Sequence, residues 1–238
     1  MSGHSKWHNI QQKKSVSDSK RAQVFTKLAN GIVVAAREAG GDPDTNFKLR
    51  MAIEKARSAN MPKDNIDRAV ARGAGTGGGS ALETVVYEAF GPGGVSILIE
   101  VLTDNRNRSV ADVKSCLGKL GVSLASQGSV MWMFEKIGVA HIKGNIKDKD
   151  VFELKLIDAG AIEIKYEDDI AIVETCVPDL QKIIASATAS GLSADYAEIE
   201  YIAKEPVAVS ESDSMKLNQI YEALDNLDDV QNVFTSEK

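Results

Sequence analysis

Ile162-Glu163-Ile164-Lys165-Tyr166-Glu167-Asp168-Asp169-Ile170-Ala171-Ile172-Val173-Glu174-Thr175 decides how the second half of the chain folds. Apolar residues alternate with charged ones through Tyr166 and apolar character resumes at Ile170, so Ile162–Tyr166 and Ile170–Thr175 read as strands, and Asp168-Asp169 between them as a turn. Outward from this pair, Lys149–Asp158 and Asp179–Ala189 are predicted helices, and Val139–Ile142 and Ala197–Ile202 are predicted strands. The order is β-α-β-β-α-β, a complete split β-α-β domain over residues 138–204.

The flanks are each incomplete. Glu83–Phe90 and Val95–Leu102 read as a hairpin about the turn Gly91-Pro92-Gly93-Gly94, followed by a helix at Ser109–Lys119 and a third strand at Ser129–Glu135. After Pro206 there remain one helix, Ser212–Leu227, and one strand, Val230–Thr235, which cannot fold alone. Each fragment supplies what the other lacks. Residues 79–137 with 205–238 are therefore expected to form a discontinuous α+β domain, with 138–204 inserted into it.

Upstream the period is helical. Val24, Leu28, Ile32, Ala35 and Ala39 mark one face of a helix over Ser17–Ala39, which Gly40-Gly41 stops. Asp44 or Thr45 is the candidate N-cap of a second helix at Asn46–Ser58, and Pro62 suits the first position of a third that buries Ile66, Ala69 and Val70. Arg37, Lys48, Arg50, Lys55, Arg57, Lys63 and Arg68 would line the exposed faces of this bundle. Gly73–Ser80 contains a G-x-G-x-x-G, but a helix precedes it and no lysine follows at the phosphate position, so it reads as a linker. The fold class is α+β: an N-terminal three-helix domain within residues 1–78, then two split β-α-β (ferredoxin-like) domains, one inserted into the other.

Charge divides at the same place. The chain of 238 residues carries −6 overall, yet residues 1–72 hold 14 Lys+Arg against 7 Asp+Glu, a net of +7 that leaves −13 for the rest. Six of those cations, Lys6, Lys13, Lys14, Lys20, Arg21 and Lys27, fall in the first 27 residues beside Trp7 and a single acid, Asp18. Such a segment cannot bury a core, but it suits lying along a phosphate backbone with the indole stacked on a base; a solvated terminus has the same composition. Arg106 and Arg108, at a predicted strand-to-helix junction, could hold an anion at the helix N-terminus; equally, Asn107 or Ser109 is an N-cap there and the arginines are solvated.

Other chemistry finds little support. No His stands beside a Ser or Cys in a nucleophile motif, His4 and His8 lack a third metal ligand, Cys116 and Cys176 are isolated, and Met131-Trp132-Met133-Phe134 reads as core packing. The expectation is a protein with no enzymatic activity, cofactor, metal or membrane partner, in a reducing cytoplasm.

Gly3-His4-Ser5-Lys6-Trp7, Phe25-Thr26-Lys27-Leu28, Gly40-Gly41-Asp42-Pro43, Asn60-Met61-Pro62, Gly91-Pro92-Gly93-Gly94-Val95, Leu102-Thr103-Asp104-Asn105-Arg106-Asn107-Arg108, Gly128-Ser129-Val130 and Leu227-Asp228-Asp229-Val230-Gln231-Asn232-Val233 resemble, in order and along the whole chain, the signature blocks of the YebC/PmpR family. His8, Gln11-Gln12 and Gly121-Val122 depart from the usual pattern. The resemblance implies a three-domain, nucleic-acid-binding regulatory protein, described in most members as a DNA-binding transcriptional regulator. It also implies an alternative, because mitochondrial relatives activate translation and bacterial ones are linked to ribosome rescue at proline runs: a ribosome-associated translation factor binding ribosomal RNA. By motif it carries over Lys6, Trp7, Lys13, Lys14, Lys20, Arg21 and Lys27 in the arm, and Asp104, Asn105, Arg106, Asn107 and Arg108 in the junction.

Overall fold

The computed structural model describes residues 18–77, 81–146, 148–167 and 169–238, with backbone alone for 18–20. Three helices come first: α1 (Asp18–Ala39), α2 (Phe47–Ser58) and α3 (Lys63–Gly73). Asn46, not Asp44 or Thr45, caps α2. Its Oδ1 accepts the Leu49 N–H at 3.1 Å, while its Nδ2 donates to Ala35 O at 2.7 Å and Gly40 O at 2.8 Å. Only an amide both accepts and donates twice, so a buried Asn can cap one helix and tie it to the end of another, where Asp or Thr could not. Ile32, Val33 and Ala36 of α1 meet Leu49, Ile53 and Ala56 of α2 and Ile66 and Ala69 of α3 in one core. Gly73 belongs to this packing and not to a linker: a Cβ there would overlap Val33 O and Ala36 Cβ, where α1 and α3 cross.

β1 (Glu83–Phe90) and β2 (Ser96–Thr103) form the expected hairpin, closed by a 3-10 turn with Gly93 and Gly94 at φ of 69° and 75°. α4 (Arg106–Lys119) follows β2, and from the C-terminus α7 (Glu211–Asp225) and β7 (Val230–Thr235) return to it. β7 pairs antiparallel with β2, giving a sheet of order β1-β2-β7 whose middle strand is almost wholly buried. Ile97, Ile99, Val101, Val113 and Leu117 pack with Leu217, Ile220, Tyr221, Leu224, Val230 and Val233 in a single core.

The strand expected at Ser129–Glu135 is absent from this sheet. Residues 128–130 turn, Met131–Met133 is a 3-10 helix, and Phe134 already begins β3 (Phe134–Lys143) of the other sheet. The cause is Glu88, buried at the end of β1. Its Oε1 accepts the Gly128 N–H at 2.6 Å, and its Oε2 accepts those of Val130 at 2.6 Å and Met131 at 2.8 Å. Donors satisfied by a carboxylate have no need of a neighbouring strand.

Residues 134–202 form a compact unit of their own, and 1–133 with 203–238 the other. β3, α5 (Lys149–Asp158), β4 (Ala161–Glu167), β5 (Ile170–Cys176), α6 (Leu180–Ala189) and β6 (Ser193–Ala203) run in β-α-β-β-α-β order, with strands arranged β4-β5-β3-β6. The two helices cover one face, burying Phe152, Leu156, Leu180, Ile183 and Ala187. β3 begins at Phe134, five residues before the strand expected at Val139–Ile142.

Candidate nucleic-acid interface

Lys6, Trp7, Lys13 and Lys14 lie outside the described residues, as do His4, His8 and the side chain of Lys20. Arg21 is exposed on the first turns of α1. Lys27, two turns further, is half-buried: its Nζ stands 3.0 Å from Asp225 Oδ1 and donates to Asp225 O at 2.7 Å. Asp225 ends α7, where the free carbonyls of the helix add to the carboxylate's pull on a cation. Lys27 thus joins α1 to the C-terminal helix. Lys27→Ala should lower stability by roughly 1–3 kcal/mol, because it takes the lysine's charge away from a largely desolvated carboxylate. Urea unfolding checks this, and a purely surface lysine would leave the midpoint in place.

At the β2–α4 junction the N-cap is Asn105, whose Oδ1 accepts the Arg108 N–H at 3.1 Å, so α4 begins at Arg106 and neither Asn107 nor Ser109 caps it. Arg106 Nε and Nη2 each donate to a Glu83 carboxylate oxygen at 2.6 Å, a bidentate pair. That hydrogen bonding holds the Glu83 carboxyl below its ordinary range and raises Arg106. Arg108 Nη2 donates to Asp104 at 2.9 Å and to Asp229 at 3.2 Å, and Asp229 also accepts the Ser109 hydroxyl at 2.5 Å. Two arginines here face three carboxylates. A phosphate arriving at Arg106 or Arg108 must displace Glu83, Asp104 or Asp229, so the junction is first a clasp between β1, α4 and the segment before β7.

The helical region presents cations differently. Lys48 pairs with Glu38 at 2.6 Å, Arg37 donates to Leu82 O, and Arg50 donates to Pro43 O at 3.1 Å with its guanidinium 5.5 Å from the Phe47 ring. Lys55 and Arg57 in the last turn of α2 and Lys63 at the start of α3 are exposed around the corner Ala59–Pro62. That corner is fixed. Asn60 takes φ of 59°, and Met61, buried, donates its N–H to Ala56 O at 3.0 Å. Asp64 and Asp67 are exposed on the following helix, and Arg68 donates to Asp64 O and Asn65 Oδ1.

One aromatic lies where the sequence placed core. Trp132 is 64% exposed, its Nε1–H donating to Ser129 O at 3.0 Å, and Lys204 Nζ donates to Trp132 O at 3.0 Å. The Glu88 carboxylate holds the turn beneath it. No periodicity marks a 3-10 turn, so the apolar run around Trp132 carried no sign of its exposure. Among the described residues no cluster of His, Cys, Asp or Glu could hold a metal ion, and no helix is long and apolar enough to cross a membrane.

A family model for the TACO1/YebC protein N-terminal domain matches residues 5–76, and one for the TACO1/YebC second and third domain matches 82–236. The chain belongs to the TACO1/YebC family. Among its relatives in that family, a "Probable transcriptional regulatory protein" of Roseiflexus castenholzii is 48% identical over 99% of this chain and 94% of its own length. One of the same name from Pelotomaculum thermopropionicum is 41% identical over 99% and 98%. The crystal structure of a conserved hypothetical protein from Aquifex aeolicus, 33% identical, superposes with a TM-score of 0.83 over 95% of this chain and 93% of that one. TACO1/YebC membership thus agrees with the α+β class and the helical N-terminal region, and the names borne by its relatives are those of regulators, not enzymes.

Proposed function

We propose that this TACO1/YebC protein is a regulatory protein that binds nucleic acid through its N-terminal region, acting as a DNA-binding transcriptional regulator. The observation that carries it is the charge split: +7 within residues 1–72, with Arg21, Lys55, Arg57 and Lys63 exposed on the helices, in a chain of net −6. A polyanion is drawn to that basic region and repelled by the acidic remainder of the chain, which orients the encounter. Lys6, Lys13, Lys14 and Lys20 belong to the same charge, and Trp7 beside them would supply a ring to stack. Arg106 and Arg108 contribute only where a phosphate outcompetes their carboxylates. The names of the relatives support transcription.

A second reading, a ribosome-associated translation factor on ribosomal RNA, draws on two observations. Asp64 and Asp67 are exposed on α3, which would repel the phosphates flanking a major groove, and the exposed Trp132 offers an unstacked base a flat partner, a mode suited to irregular RNA. Sedimenting a lysate at near-physiological salt with DNase or RNase separates the two. DNase-sensitive nucleoid association, with a site bound at least about 10³-fold above random DNA, is the result expected for transcription. Ribosome association released by RNase would overturn it in favour of translation.

In either case, changing Lys55, Arg57 and Lys63 to Ala should weaken binding and flatten its salt dependence. Each lost phosphate contact is expected to lower the log-log slope by about 0.9 on duplex DNA or about 0.7 on single strands. Fluorescence anisotropy of a labelled oligonucleotide across a salt series measures it, and an unchanged slope would confine binding to the arm.

A further inference from the structure

Among the described residues, exposed apolar side chains cluster in one stretch. Val151, Leu154 and Ile157 on α5 and Ile162 on β4 are 48, 62, 55 and 62% exposed. They are four of the nine large apolar side chains left exposed among the described residues, and they fall within a dozen positions, so scattered chance is a poor account of them. α5 also buries Phe152 and Leu156, so it is apolar on both sides, the pattern of a helix covered on both sides. Beneath it, β4 is the outer strand of its sheet: β5 pairs with one edge, and the other edge carries no strand among the described residues.

We infer that a second copy of this chain docks here, edge to edge through β4, about a twofold axis at Ile164. The charge pattern of β4 chooses that occupant. Glu163 and Lys165 lie on the face away from the helices, and Ile164 and Tyr166, half-buried opposite Val173 and Ala171, lie on the helix side. An antiparallel copy centred on Ile164 sets Glu163 opposite the second copy's Lys165, twice over by symmetry, and Ile162 opposite its Tyr166. Centring on Glu163 or on Lys165 instead places like charges face to face. A one-residue slip sets Glu163 against Ile164, charge against apolar. One register among these satisfies both faces.

In that register the two α5 helices lie on the same side of a continuous eight-stranded sheet and meet across the axis. Ile157 and Leu154 of each then approach their counterparts, while Val151 lies about 120° around the helix from Ile157. The register shift between Ala161 and Glu163 falls at Ile162, so the regular pairing is confined to Glu163–Lys165 about the axis, with Ile162 and Tyr166 at its margin. Edge charges commonly guard a strand against such pairing, but through repulsion between like signs. Here Lys165 bonds Glu163 at 2.8 Å and Glu174 at 3.2 Å within one chain, so in the pair each lysine would exchange its Glu163 for that of the second copy.

The 238-residue chain should sediment at micromolar concentration with about twice its 25.6 kDa mass. Leu154→Asp should convert it to monomer while leaving its far-ultraviolet circular dichroism unchanged, because Leu154 is already in water in the single chain. Lys165→Glu should also give monomer, and Glu163→Lys combined with Lys165→Glu should restore the dimer, since the exchanged charges face each other again. That rescue answers the concern that Lys165→Glu merely unsettles β4. A wild type that stays monomeric, a dimer indifferent to Leu154→Asp, or a charge exchange that fails to restore association would each overturn the proposal. None of these outcomes depends on nucleic-acid binding.

Discussion

Glu88→Ala is expected to cost the protein about 3–5 kcal/mol, a large share of the roughly 5–15 kcal/mol that holds a typical domain folded. The carboxylate is the acceptor for three backbone N–H groups, those of Gly128, Val130 and Met131, and it is 4% exposed. Removing it leaves three donors without partners in a site that water enters poorly. Glu88→Gln should fall between. The amide oxygen can still take two of the donors, but its NH2 group then faces a third N–H, donor against donor, at a cost of about 1–3 kcal/mol.

The same contacts set a pH dependence. Burial alone would push the Glu88 carboxyl up, but the hydrogen bonds from Gly128, Val130 and Met131 outweigh it and hold the group below its ordinary value of 4.5. A carboxyl depressed in the folded state contributes stability that is fully present above its unfolded value and is lost as pH falls through the folded one. Urea unfolding from neutral pH down to about pH 3 should show wild type losing stability more steeply below 4.5 than Glu88→Gln, whose amide does not titrate. Parallel curves would mean that Glu88 does not hold the turn as a carboxylate.

Where hydrophobic period governed, the sequence was legible. The β4–β5 pair around Asp169, the β1–β2 hairpin and the helices from Asp18 to Gly73 all follow from spacing that burial imposes on a strand or helix. Departures come from polar side chains acting at a distance in sequence. Glu88 caps a turn 40 residues onward, which replaced an expected strand with the 3-10 turn under Trp132. Asn46 displaced Asp44 and Thr45 as cap because it also reaches Ala35 O, eleven residues back. Lys27 reads as an arm cation until Asp225, 198 residues away, is seen beside it. Arg106 and Arg108 were visible as charge, but their partners Glu83 and Asp229 belong to other elements. Composition reports how much charge a segment holds, and only the fold reports which charges are already answered.

Deleting residues 206–238 should leave a chain that does not fold, whereas deleting residues 134–202 should leave one that does. The tail removes Leu217, Ile220, Tyr221, Leu224, Val230 and Val233 from the core shared with β2 and α4. At roughly 1.5–3 kcal/mol for each buried side chain, that loss of about 9–18 kcal/mol meets or exceeds the stability of an ordinary domain. It also bares one edge of β2 and takes Asp225 from Lys27. The internal deletion removes none of these. Its cut ends are already neighbours, since Lys204 donates its N–H to Met133 O at 2.9 Å and its Nζ to Trp132 O at 3.0 Å, so a short Gly/Ser linker closes the gap at small entropic cost. Circular dichroism through a urea titration checks both chains: a single sigmoidal transition is expected for the internal deletion and none for the tail deletion. The opposite result would mean that residues 134–202 are part of the scaffold and not an insertion into it.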